Sequence, residues 1–448
     1  MTLRERWQRW RSDQLLQTIL KNTGYLFSSN TLAMLLGMLQ SIFAARLLGV
    51  TGFGIIGTVT VFASTINRLF SFRMGDLTVK YLGEFVTRGE KEKAGALVKV
   101  GALTEAGTSL LAFAVLVVLA PLAARFFAKD PDTQRWFIIY GISILGLCVS
   151  EVSLGVLQVF NRFRGQAAIN LAQSILTAVL IFAAFFMKAG LGMVVMAYLL
   201  GKLVLGLGPA VLALRTLHTE LGPGWWRADT QTLPPWRELT AFGLNTNFSA
   251  TLNLFVRDTE VLWISFFLTP AAAGYYKVAL AVINLILMPI NPFIATTFPE
   301  IAKATAAKTW DALKRLLRRI TLISTVWTLG VTLGLALFGR WVLLLYGKEY
   351  QPAFPVLMVL LVGYGFANIF FWNRNLLLSF DQAGFAFQAS LLPGLAKIAL
   401  VILLVPTYGV LMQAALLTGY FVISQGIITA RGLLELRRRS ALSDEVGE

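Results

Sequence analysis

Between Thr246 and Glu260 the polar residues fall in steps of three and four: Thr246, Ser249, Asn253, Arg257 and Glu260, with Asn247, Thr251 and Asp258 beside them. On an α-helix this spacing places the five on one face. Facing lipid they would cost several kcal/mol, so the face lines a cavity or packs within protein. Further ionisable residues stand in apolar surroundings: Arg68, Glu105, Glu151, Lys202, Lys277, Arg374 and Lys397, with Asn67, Asn284, Asn368 and Asn375 as neutral polar neighbours. Cations outnumber anions in this set. A cavity with that excess favours an anionic group, and Arg and Lys are the usual partners of phosphate. Arg257, Arg374 and Lys397 are the first candidates to meet it, followed by Lys202 and Lys277. The alternative for Arg257 is a pairing with Asp258, Glu260 or a neighbouring helix that holds the bundle together. Arg68 reads as a snorkelling or interlobe residue. Glu105 and Glu151 read either as proton-coupling carboxylates, because burial raises a carboxyl pKa, or as members of ion pairs.

Cys148 is the only cysteine and His218 the only histidine. Intramolecular disulfides, thiolate zinc sites, Cys–His and Ser–His–Asp catalysis and multi-histidine metal sites are thereby removed. Cys148 is expected to be buried and His218 solvated. No catalytic residue, metal or cofactor is expected, and the chain reads as a non-enzyme.

The elements that position these residues belong to a bilayer. The 448 residues are 56% hydrophobic and 14% charged, with a mean hydropathy of +0.69, against roughly 25% charged in a soluble domain. Stretches such as 110–122, 175–187 and 398–405 lie in longer apolar segments, each able to cross a hydrocarbon core of about 30 Å as a helix of about 20 residues. A closed barrel would show alternating segments of about 10 residues, and the sequence shows none. Gly, Pro and charge runs place helices near 18–48, 52–76, 94–127, 134–160, 165–188 and 190–216, then 237–268, 271–298, 311–345, 352–379, 383–405 and 408–433. Outer loops are short, near 48–51, 129–133, 188–190, 269–271, 346–351 and 406–409, and leave no room for an extracytoplasmic domain. The net charge of +16 is no nucleic-acid signature. About 26 of the 39 Lys and Arg fall in the termini and the even-numbered loops, which the positive-inside rule assigns to the cytoplasm. Both termini are therefore expected inside, with an even number of spans.

The predicted organisation is an N-lobe over 1–216, a cytoplasmic linker over 217–236, a C-lobe over 237–435 and a cytoplasmic tail over 436–448. The linker carries Pro223, Gly224, Pro234 and Pro235, and its Trp225, Trp226 and Trp236 suit either an amphipathic segment at the headgroups or a solvated loop. The lobes resemble each other at an offset of about 220 residues: 47–54 corresponds to 267–274, with Gly54 on Gly274, and Phe160-Asn161-Arg162 corresponds to Phe380-Asp381-Gln382. Six spans per lobe make the lobes parallel repeats, which commonly enclose a central site and alternate its access by rocking. The first-lobe counterpart of the polar stripe, Leu26, Ser29, Ala33, Gly37 and Gln40, carries no charge, so the site is expected to be electrostatically lopsided.

Residues 44–58, Ala-Ala-Arg-Leu-Leu-Gly-Val-Thr-Gly-Phe-Gly-Ile-Ile-Gly-Thr, resemble the end of the first and start of the second helix of Wzx-type polysaccharide flippases. Residues 75–84, 266–276 and 373–384 resemble further stretches of that family. It belongs to the MOP superfamily, with the MATE exporters and lipid II flippases. The resemblance implies an all-α membrane fold of twelve helices in two six-helix bundles around a V-shaped cavity, in a bacterial inner membrane. It also implies a polyprenyl-diphosphate-linked oligosaccharide as cargo, membrane lipids as surroundings, and a polysaccharide polymerase and glycosyltransferases as partners. Basic residues then meet the diphosphate, the Asn, Ser and Thr face meets the sugars, and the lipid tail stays in the bilayer. A MATE-like exporter would favour intramembrane carboxylates, and a lipid II flippase typically has two more helices than this chain accommodates. A membrane polymerase or glycosyltransferase usually needs a large outer loop or an acidic catalytic domain, and the sequence has neither.

Overall fold

The structure, a computed structural model, describes residues 14–71, 74–230, 233, 251, 254–287 and 291–446. Thr246, Asn247, Ser249 and Asn253 of the polar stripe lie outside them, as do Trp236 and Pro289. Among the described residues the regular structure is helical, with no strand. In chain order the helices are α1 (Gln14–Phe70), α2 (Met74–Thr87), α3 (Lys91–Ala123), α4 (Gln134–Gly146), α5 (Ser150–Val159), α6 (Phe163–Phe186), α7 (Leu191–Glu220), α8 (Glu260–Phe267), α9 (Pro270–Leu287), α10 (Asn291–Ala306), α11 (Trp310–Leu344), α12 (Ala353–Ile369), α13 (Asn373–Ser379) and α14 (Ala383–Val446).

Eight helices in the described residues are long and apolar enough to cross a membrane. Their outer faces keep bulky apolar side chains uncovered, such as Val118, Phe186 and Trp341, as a hydrocarbon solvent permits. Two of the eight are too long for one crossing. The 43 apolar residues ending at Phe70 and the 60 from Ala383 to Leu442 would run about 65 and 90 Å if straight, against a core of about 30 Å. Each is bent at one glycine: Gly49 has φ 66° and ψ −178°, Gly409 φ 74° and ψ −161°, backbone conformations that a side chain would strain. These single residues replace the loops expected at 48–51 and 406–409.

Three expected spans are interrupted. The one near 134–160 breaks over Leu147–Val149, between α4 and α5, and the one near 352–379 breaks over Phe370–Trp372, between α12 and α13. The third contains the polar stripe: Leu254–Asp258 is a π-turn, Thr259 is non-helical at φ −94° and ψ 14°, and α8 begins at Glu260. Cys148 lies in the first break and is half-buried, not enclosed as expected, while His218 is exposed.

Turns recur along the chain. Asn161 and Asp381 both take a left-handed backbone, at φ 55° and 60°, which Asn and Asp tolerate. Both turns close alike, Asn161 N–H to Gln158 O and Arg162 N–H to Leu157 O, then Asp381 N–H to Leu378 O and Gln382 N–H to Leu377 O. Gly89 and Lys308 make a second such pair, at φ 73° and 53°.

The chain divides into two compact units. Unit 1 takes residues up to Leu47, then Phe62–Ala124 and Pro131–Thr251; unit 2 takes Leu48–Val61, Arg125–Asp130 and the chain from Leu252 onward. Unit 1 has a core around Tyr81, Phe85, Leu97, Val156 and Leu217, and Trp225 packs against it, while Trp226 is exposed. In unit 2, Trp310, Leu313, Trp372, Leu376 and Phe380 form a core, and the second limb of α1 packs on α9. A Cβ on Gly54 would fall 1.8 Å from Pro270 O, and one on Gly274 would fall 2.3 Å from Val50 O. The contact is reciprocal, each partner standing 220 residues from its counterpart.

Candidate functional site

Unit 2 gathers most of the ionisable residues singled out in the sequence. At the head of α8 the Glu260 carboxylate accepts three hydrogen bonds: from the Lys397 ammonium at Oε1, and at Oε2 from Tyr276 OH at 2.8 Å and Gln413 Nε2 at 2.9 Å. Lys397 Nζ also donates to Val256 O at 2.7 Å. All four side chains are at most 3% exposed. The cluster joins α8, α9 and both limbs of α14. A buried pair is tolerated when its remaining lone pairs and protons are satisfied, and Tyr276, Gln413 and the Val256 carbonyl meet much of that need. In this structure the Lys397 ammonium is thus taken up by Glu260 and the Val256 carbonyl.

The π-turn breaks the expected step from Arg257 to Glu260. Thr259 N–H bonds to Leu254 O at 3.1 Å, five residues back, and such a bulge adds a residue to the turn. Since each residue advances a helix by about 100°, Glu260 is rotated out of line with Arg257. Arg257 and Asp258 are exposed while Glu260 is buried. The Arg257 guanidinium lies 5.0 Å from the centroid of the Phe421 ring, a cation–π distance. Arg374, one residue into α13, is also exposed, with its N–H held by the Asn373 side chain. Tyr420, next to Phe421 in the second limb of α14, is buried. Tyr364 packs on the same Phe421 ring, with centroids 4.8 Å apart.

The remaining candidates lie elsewhere. Lys277 in α9 is half-buried over the Phe53 ring, 4.3 Å from its centroid. Gly57 makes room for its stem, since a Cβ there would come within 2.8 Å of Lys277 Cδ. Lys202 belongs to unit 1, half-buried on α7, and Arg68, in the same unit, is exposed. Glu105 makes no ion pair among the described residues. From α3 its carboxylate takes the Glu151 N–H at 2.9 Å and the Val152 N–H at 3.0 Å, capping the free amides that the break exposes at the start of α5. Glu151 accepts Ser71 Oγ at 2.9 Å. Between the two carboxylates lies a polar cavity of about 30 Å³, walled also by Asn67, Thr108, Ser109 and Ser150, room for about one water molecule.

Sequence reading missed Gln413, Tyr364, Tyr420 and Phe421. Gln413 had a signal, a lone amide in the apolar run 398–417. The aromatic residues had none, since aromatics are ordinary packing in such spans.

The family described as "Polysaccharide biosynthesis protein" matches residues 19–305. Among curated proteins the chain is 21% identical over 299 residues to the inner membrane protein YghQ of Escherichia coli strain K12, covering 66% of this chain and 83% of that one. It is 21% identical over 305 residues to the teichuronic acid biosynthesis protein TuaB of Bacillus subtilis strain 168, covering 62% of this chain and 59% of that one, so the match spans less than two thirds of TuaB. Among solved structures, an inward-facing multidrug resistance MATE family transporter of the MOP superfamily aligns over 92% of this chain and 96% of its own, with TM-score 0.71 and 16% identity. The lipid II flippase MurJ in an inward closed conformation aligns over 93% and 90%, with TM-score 0.70 and 13% identity. At these identities the two structures establish the fold.

Proposed function

Because the chain belongs to the polysaccharide biosynthesis protein family, in a membrane-spanning helical fold shared with MATE transporters and MurJ, we propose that it is a flippase for a polyprenyl-diphosphate-linked oligosaccharide. It carries this cargo across the inner membrane for surface polysaccharide assembly, exposing its site alternately to the two sides. The observation that supports this most is that unit 2 presents two exposed guanidinium groups, Arg257, set over the Phe421 ring, and Arg374. Guanidinium groups recognise phosphate oxygens in pairs, and a diphosphate offers enough of them for both. Asp258, with Ser249 and Asn253 earlier in the same segment, is assigned to the sugar hydroxyls. Glu260 and Lys397 hold the site together.

In this reading the bends at Gly49 and Gly409 divide α1 and α14 into two crossings each, giving twelve spans in two parallel six-helix repeats. The recurring turns and the reciprocal packing of Gly54 and Gly274 support the repeat. The distribution of Lys and Arg supports termini in the cytoplasm, where in this reading glycosyltransferases supply the cargo and a polymerase receives it outside. A MATE-like exporter of small cations is disfavoured by the ammonium that already occupies Glu260.

The test is a deletion strain complemented with Arg257→Ala, Arg374→Ala or both. Each single variant should lower glycan export about tenfold, the loss of one charge-assisted contact to phosphate, at normal membrane levels. Lipid-linked oligosaccharide should accumulate on the cytoplasmic face. Full export by the double variant would overturn the assignment.

A further inference from the structure

Unit 1 carries two carboxylates that meet no cationic side chain. Among the described residues neither Glu105 nor Glu151 pairs with a Lys or Arg. Glu105 is 7% exposed, and the Glu151 and Val152 amides at the start of α5 each take one of its carboxylate oxygens. Those amides and the helix N-terminus offset its charge. The Glu151 carboxylate, half-buried, receives only the Ser71 hydroxyl among the described residues, at 2.9 Å. One hydroxyl is a weak partner for a carboxylate in an apolar unit, where a charge needs a counter-charge or several donors. A single negative charge is thus left to be balanced.

The cavity of about 30 Å³ between the two carboxylates is walled, apart from Phe70 and Leu147, by polar residues. Thr108 and Ser109 follow Glu105 at steps of three and four, so one face of α3 presents all three. Asn67 and Ser71 lie one turn apart at the end of α1, and Ser150 and Glu151 open α5. Ser109 is 6% exposed, and its hydroxyl has no hydrogen-bond partner among the described residues; the Asn67 amide has none either. Buried hydroxyls are ordinarily bonded, so Ser109 marks a place for a ligand that takes up its lone pairs. Close packing fixes the frame around it. A Cβ on Gly75 would stand 3.2 Å from Glu151 O, and one on Gly101, a turn before Glu105, 3.2 Å from Val152 Cγ2.

Carboxylate, hydroxyl and amide oxygens are hard ligands and suit hard cations. Size and charge choose among these. The cavity has room for one particle of about the size of water. Mg2+ keeps several waters, and Ca2+ takes about six to eight oxygens, often from bidentate carboxylates. There is no room for those waters, and both oxygens of Glu105 are engaged by amides. A proton would neutralise Glu151, yet it needs no cavity and leaves Ser109 without a partner. A bare monovalent cation matches the one unbalanced charge, the volume and the free oxygens together.

We propose that Glu151, Ser109, Asn67 and Glu105 enclose a binding site for one alkali-metal cation, which ties the end of α1 and the middle of α3 to the break between α4 and α5. The site lies wholly within unit 1 and is independent of the cargo reading.

The experiment uses the full chain in detergent, with choline chloride exchanged stepwise for NaCl at constant ionic strength. Radiolabelled Na+ should bind saturably, one ion per chain, and Tm should rise by a few degrees and level off as the site fills. Glu151→Gln should weaken binding about tenfold, the loss of a charged contact, and Ser109→Ala about threefold, the loss of a neutral one. Glu92→Gln, exposed in the first turn of α3, should change neither binding nor Tm. If Glu151→Gln fails to accumulate, the milder Ser109→Ala decides. Absence of saturable Na+ binding, or full affinity in Ser109→Ala, overturns the site. Ca2+ binding more tightly than Na+ overturns the monovalent assignment. A Tm that rises on mild acidification and ignores Na+ overturns it in favour of a proton on Glu151.

Discussion

Gln40 and Glu260 stand 220 residues apart, at matching places in the two halves of the sequence, and each is buried. In unit 1, Gln40 Nε2 donates to Ser174 O at 2.8 Å, a neutral bond between α1 and α6. In unit 2, Glu260 is paired with Lys397, whose counterpart at the same offset is Thr177. One half joins these helices with an amide and a carbonyl, the other with a buried ion pair and two further donors. The same architecture thus accepts a neutral joint, so the ionic version in unit 2 is not demanded by the fold. It keeps charge inside the unit that also presents Arg257 and Arg374.

The most severe way to break this comparison is to remove one ion. Lys397→Met should destabilise the protein by about 3–5 kcal/mol, because it strands a carboxylate in the interior. Gln40→Ala should cost only about 1 kcal/mol, the value of a neutral hydrogen bond. Thermal unfolding in detergent measures both. The double variant Glu260→Gln with Lys397→Thr converts unit 2 to the unit 1 pattern and should recover most of the loss. If it is no more stable than Lys397→Met alone, the ion pair is more than a replaceable joint.

Next in size is a test of likeness. Gly54 and Gly274 meet carbonyl oxygens of the opposite helix, at distances no side chain can accept. Alanine at either should cost about 3 kcal/mol by overpacking. The two losses should be equal if the packing is reciprocal, and lower cell-surface or purified yields should track them. A large loss at Gly54 with none at Gly274 would show that only one side of the contact is tight.

These pairs also show what the sequence made legible. Apolar runs were enough for the membrane-spanning helical class, because lipid enforces helices and leaves little choice of element. Gly54 on Gly274 and Asn161 on Asp381 were visible as an offset, and their common geometry follows from the residue types that a tight approach or a left-handed turn requires. The step from Arg257 to Glu260 was not legible because a π-turn carries no punctuation: nothing in Leu254–Asp258 announces one extra residue, yet it turns Glu260 inward and leaves Arg257 outside. The partner of Lys397 was invisible for the same reason. Two residues 137 positions apart are joined only by packing, and a count of cations treats both as available.

The smallest expected effect separates the halves at the helix breaks. Glu105 stands 14 residues into α3 and Ser324 14 residues into α11, and each attends the break of the following span. Glu105 accepts the amides that begin α5, whereas Ser324 Oγ donates to Ile369 O at 3.0 Å, the carbonyl that ends α12. A carboxylate at a helix N-terminus gains from two charge-assisted bonds and from the dipole, while a hydroxyl at a helix C-terminus makes one neutral bond. Glu105→Gln should therefore cost about 2 kcal/mol and Ser324→Ala about 1 kcal/mol or less. The amides of Glu151 and Val152 should lose protection in hydrogen exchange in the first variant and keep it in the second. Equal losses would mean that the two breaks are held by packing alone, and that the charge of Glu105 serves something other than the start of α5.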